Sequence, residues 1–122
     1  MSAKASSTLL GHSTRVLLVG AFQDSDLLGR TLGEAGFIVQ TATVQQALYN
    51  ASEMNPGVLI LGEGLAVQDR MRFIRGARRR DANVRVILLY RGSVDNAELA
   101  DAVLSVAVDP KDLVQTIQEL TC

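Results

Sequence analysis

The sequence predicts an α/β domain: a doubly wound, five-stranded parallel sheet with helices on both faces. Three observations carry that expectation. Val58-Leu-Ile-Leu61 is a continuous apolar run after a Pro-Gly turn, as expected of a strand buried on both faces. Short apolar runs alternate with helix-period patterns five times along the chain. The helical segments open on short polar residues, and the first two close on Gly or Pro.

The chain has 122 residues, 48% hydrophobic and 20% charged, with a formal net charge of -1. One globular domain is the default for that length. A near-neutral balance provides no global field toward nucleic acid or membrane. No run of 18 apolar residues occurs, so no spanning helix is expected. The Ser/Ala-rich stretch 1–14 reads as a disordered leader and 15–122 as the domain. Cys122 is the single cysteine, which excludes an internal disulfide framework. The expected compartment is the cytoplasm.

Arg15–Val19 is the first buried strand. Asp24 or Ser25 caps the next helix, where Leu27, Leu28, Thr31, Leu32 and Ala35 share a face; Gly36 stops it. Phe37–Thr41 is the second strand. Thr43 opens a helix carrying Val44, Ala47, Leu48 and Ala51, ended by Asn55-Pro56 because proline disfavours helix at the preceding residue. After the central strand, Asp69 opens a third helix. Val84–Tyr90 is the fourth strand, and Ser93 or Asp95 starts a short helix through Asp101. Val103–Val108 is the fifth strand. Asp109-Pro110 then starts a helix with an apolar stripe of Leu113, Val114, Ile117 and Leu120. The alternation by itself leaves open the strand orders 2-1-3-4-5 and 3-2-1-4-5.

Several segments together resemble a response-regulator receiver domain. They are Arg15–Val19, Ala35-Gly36-Phe37, Asn55-Pro-Gly-Val-Leu-Ile-Leu61, Asp69, and Asp109-Pro110 with Asp112-Leu113. The resemblance covers Arg15 to Leu120 and implies the flavodoxin-like order 2-1-3-4-5. It also implies a site for aspartyl phosphorylation: an acidic pair after strand one, an Asp ending strand three, a Thr or Ser ending strand four and a Lys on strand five. The carboxylates of such a site hold Mg²⁺, and the metal and Lys neutralise the transferring phosphoryl group. Here those positions read Gly20 and Ala21, Gly62, Tyr90, and Val106 (Ser105 if the alignment slips by one). The aromatic switch position falls near Val103. Glu63 and Asp24 are the nearby acids that could rescue a metal site.

The expectation is therefore a pseudo-receiver: not an enzyme, without cofactor, acting as a protein-interaction or dimerisation module in two-component-type signalling. The resemblance places a homodimer or partner contact in Val94 to Leu120. The alternative is a nucleotide or phosphate sensor using a crevice lined by Gly20, Gly62, Gly64 and Gly92, with Arg91 or the arginine cluster on phosphate. That cluster, Arg70, Arg72, Arg75, Arg78, Arg79, Arg80 and Arg85, holds seven of twelve basic residues within sixteen positions. A solvated helix face is the plainer reading, and an anionic partner the functional one. Without interleaved aromatics beyond Phe73, stacking on single-stranded nucleic acid is not expected. Six of the thirteen acids lie in the C-terminal part, so basic and acidic patches could also pair between copies. Tyr90 either fills the vacated pocket or anchors an interface.

Overall fold

The computed structural model describes residues 14–47, 56–91 and 99–121. Five strands form one parallel sheet: β1 (Arg15–Val19), β2 (Ile38–Ala42), β3 (Val58–Leu61), β4 (Arg85–Tyr90) and β5 (Ala102–Ser105). Their spatial order is β2-β1-β3-β4-β5, which settles the two orders left open by alternation. Three helices are described along their length: α1 (Ser25–Glu34), α2 (Val67–Arg80) and α3 (Pro110–Thr121). A further helical turn occupies residues 44–47.

Because successive strand side chains point to opposite faces, the apolar runs fill two cores at once. On one face Val16, Leu18, Val58, Ile60, Ile87 and Leu89 pack under Leu28 and Leu32 of α1 and Leu113 and Ile117 of α3. On the other, Leu17, Val19, Leu59, Leu61, Val86 and Leu88 pack under Phe73 and Ile74 of α2 and Ala47. All four β3 residues are buried, each worth about 1.5–3 kcal/mol of apolar burial. The result is three layers, with α1 and α3 on one side of the sheet and α2 on the other.

Local chemistry explains the ends of the elements. Asp24 caps α1, its Oδ1 accepting from the Leu27 amide at 3.1 Å. At the other end Gly36 has φ 100°. Its amide donates to the Gly33 carbonyl (3.0 Å), and the Phe37 amide donates to that of Leu32 (3.2 Å). This paired closure of the last turn needs a left-handed residue. It also corrects the second strand, which starts at Ile38 because the Phe37 amide is spent on the helix. Thr43 and Gln46 form a reciprocal capping box: the Gln46 amide donates to Thr43 Oγ1 and the Thr43 amide to Gln46 Oε1. The rest of that expected helix, including Leu48 and Ala51, lies outside the described residues.

Three further boundaries differ from expectation. α2 opens at Val67 with Ala66 as its uncapped boundary, and Asp69 sits in the first turn. There a carboxylate favours the helix through the dipole rather than through a cap hydrogen bond. Val84 lies outside β4 because its amide closes a turn onto Asp81. The fifth strand ends at Ser105, not Val108. Ser105 turns the chain: its Oγ accepts from the Ala107 amide and its carbonyl from the Val108 amide. The start of the helix expected between Ser93 and Asp101 lies outside the described residues, and 99–101 is not α-helical.

Candidate functional site at the carboxyl edge of the sheet

Parallel register brings the carboxyl ends of the strands to one edge, where ligands of open α/β sheets bind. All five phosphorylation positions implied by the resemblance gather there. Gly20 and Ala21 follow β1 directly, and Gly62 follows β3. The Gly62 amide donates to the Val19 carbonyl at 2.8 Å. Tyr90 ends β4 beside Ser105, and the Val106 amide donates to the Tyr90 carbonyl at 3.1 Å.

This neighbourhood is closed by backbone. Ala21 and Glu63 form an antiparallel bridge, the Ala21 amide donating to the Glu63 carbonyl (2.8 Å) and the Glu63 amide to that of Ala21 (2.9 Å). The bridge draws the loops after β1 and β3 together above Gly62, which is buried. A Cβ on Gly62 would overlap the Ala21 carbonyl oxygen and sit 2.8 and 2.9 Å from Cε1 and Cζ of Phe22. Gly20 has φ +102°, and a Cβ there would meet Leu65 Cδ1 at 2.6 Å and the Glu63 carbonyl at 2.7 Å. Both glycines are thus required by packing, and side chains with ligand atoms do not fit at either position.

The remaining acids are engaged elsewhere. Glu63 accepts from Arg91 through both carboxylate oxygens, Oε2 from Nε and Oε1 from an Nη, each at 3.3 Å. That contact raises the Arg91 pKa above its ordinary value. Asp24 is held by its cap. Among the described residues no three His, Cys, Asp or Glu side chains come together. The residues present at this edge do not fit the Mg²⁺ that a receiver fold implies.

The arginine cluster is divided by the fold. Arg70 is 7% exposed, with its guanidinium carbon 5.5 Å from the Tyr90 ring centre. A cation over a ring contributes about 0.5–1 kcal/mol when exposed and about 2 kcal/mol when desolvated. Tyr90 itself is half-buried. Arg78 and Arg85 both face Asp101, at 3.1 and 3.9 Å. Arg85 also donates from Nε to the Leu120 carbonyl near the end of α3. Asp101 in turn accepts from the Val86 amide at 2.7 Å. Sequence reasoning read Asp101 as one of several C-terminal acids; nothing in its neighbours along the chain marks it as the acceptor tying α2, β4 and β5. Arg72, Arg75 and Arg79 are exposed on α2.

The glycines expected to line the crevice differ in their surroundings. Gly20 and Gly62 meet neighbouring loops, and Gly64 is open on the surface; Gly92 lies outside the described residues. A cavity of about 290 Å³ begins beside it, between Phe22 and Leu27 on one wall and Val106 and Val108 on the other.

Strand order, layering and the position of this edge define the class of the chain: it has the fold of a response-regulator receiver domain. The solved structures it resembles agree. The chemotaxis response regulator CheY4 of Vibrio cholerae superposes with a TM-score of 0.72 at 22% identity, covering 88% of this chain and 98% of that one. A CheY-like receiver domain from Methanospirillum hungatei gives 0.72 at 22% identity, covering 89% and 94%. The pseudo-receiver domain of the CikA protein gives 0.64 at 24% identity, covering 90% and 98%. No protein-family model matches the chain, and no curated protein matches it significantly.

Proposed function

We propose that this chain is a pseudo-receiver, a receiver fold that works without phosphorylation as a protein-interaction or dimerisation module in cytoplasmic two-component-type signalling. One observation carries the reading. At the phosphoacceptor position stands Gly62, and the space an aspartate would need holds the Ala21 carbonyl and the Phe22 ring. The backbone bridge between Ala21 and Glu63 joins the loops after β1 and β3 beside it. What the fold retains is surface for contact. A pseudo-receiver among the similar structures is consistent with this role. Of the contact region Val94 to Leu120, residues 94–98 lie outside the described part, and Val103 on β5 is 40% exposed.

The small-ligand reading has less support, because Gly20 and Gly62 meet backbone and Arg91 is engaged by Glu63. Thermal unfolding with Mg²⁺, Mg²⁺ plus beryllofluoride, and nucleotides tests both. A ligand specific for the folded state adds about 2.7 kcal/mol at a hundredfold excess over its Kd. The midpoint should not move with any of them. A rise with Mg²⁺ and beryllofluoride overturns the proposal, and a rise with a nucleotide alone favours the sensor.

A further inference from the structure

The described helices on the two sides of the sheet carry opposite charge. On one side of the sheet, α2 with its closing Asp81 bears six arginines against Asp69 and Asp81, a formal +4. On the other, α1 with its cap bears Asp24, Asp26 and Glu34 against Arg30, and α3 with Asp109 bears Asp109, Asp112 and Glu119 against Lys111. Together these two helices with their caps are a formal -4. A net charge of -1 for the whole chain hides this separation.

The charges that remain exposed after folding are positioned to be shared. Arg72, Arg75 and Arg79 recur at three- and four-residue spacing, so they form one stripe about 10 Å long on α2. All three are exposed, and among the described residues no ion pair includes them. Asp26, Asp112 and Glu119 are likewise exposed, outside any described ion pair, on the opposite layer.

We infer that copies of this chain associate face to back, the α2 arginine stripe of one against the acidic α1/α3 face of the next. This deepens the contact-module reading by naming the partner as a second copy. A symmetric contact would set arginine against arginine, which repels, so the contact is heterologous. The two faces lie on opposite sides of the sheet. Each copy therefore engages a neighbour on either side, and the assembly grows with concentration instead of closing as a dimer.

Analytical ultracentrifugation of the native chain over a concentration series tests this. At about 0.05 M salt the weight-average mass should climb past that of a dimer. At about 0.5 M salt, where screening acts within a few ångströms, association should weaken about tenfold or more. The triple variant Arg72→Glu, Arg75→Glu, Arg79→Glu should remain monomeric. Added in excess to the native chain, it should shorten the assemblies, because it offers only an acidic face. The triple variant Asp26→Lys, Asp112→Lys, Glu119→Lys should be monomeric alone for the complementary reason. A monomer at every salt concentration overturns the inference, as does a closed dimer indifferent to salt and to both variants. Neither result bears on phosphodonor insensitivity, so the two claims fail separately.

Discussion

The ring of Phe22 lies directly against Gly62, so that a Cβ on Gly62 would sit 2.8 Å from Phe22 Cε1. The loop after β1 and the residue after β3 are thereby fitted to each other. In a receiver fold that is the place where carboxylates meet a phosphoryl group, and here it is an apolar and backbone contact.

Gly62→Ala should therefore destabilise the domain by about 1–3 kcal/mol, the usual cost of overpacking. Phe22→Ala should relieve part of that cost, since it removes the ring and leaves the Ala21 carbonyl. The double mutant should be less destabilised than the sum of the singles, and urea denaturation of all four proteins reads that coupling. Strict additivity would mean that ring and glycine do not touch.

Gly20 and Gly64 both have positive φ, at 102° and 91°, but differ in surroundings. Gly64→Ala pays backbone strain alone, about 1–2 kcal/mol, since nothing lies within 4 Å of its would-be Cβ. Gly20→Ala adds the overlap with Leu65 and the Glu63 carbonyl, and should cost at least about 1 kcal/mol more. Equal midpoints in chemical denaturation would contradict that difference.

Two acidic residues near the sheet make ion pairs of unequal weight. Asp101→Ala strips the Val86 amide of its 2.7 Å acceptor and releases Arg78 and Arg85. A loss of about 1–3 kcal/mol is expected. Glu63→Gln touches only Arg91, whose side chain is 67% exposed, and should change stability by less than about 1 kcal/mol. Hydrogen exchange of the Val86 amide should accelerate in the first variant and not in the second.

Parallel strands buried on both faces advertise themselves as short apolar runs, and so β1 and β3 begin and end where the sequence places them. The edges of other elements were set by partners remote in the chain or by competing turns. Phe37 is taken by the Leu32 carbonyl, and Ser105 closes a turn that Val106-Ala107-Val108 does not reveal by apolar content. The site divides in the same way. The absence of carboxylates at Gly20, Ala21 and Gly62 is visible in the residues themselves. That Phe22 fills the space, that Arg70 stacks on Tyr90, and that Arg78 and Arg85 converge on Asp101 are tertiary facts without local signature. An arginine cluster within sixteen positions reads as one patch until folding assigns its members to different neighbours.

The central claim is that the carboxyl edge cannot accept a phosphoryl group. Intact-mass spectrometry of the chain after incubation with acetyl phosphate and Mg²⁺ tests it most directly, with Gly62→Asp alongside. The account predicts an unchanged mass for the native chain. It predicts no adduct for the variant either, because Ala21 and Phe22 occupy the space and Glu63 stays with Arg91. An added phosphoryl group on an acidic side chain of the native protein would contradict it.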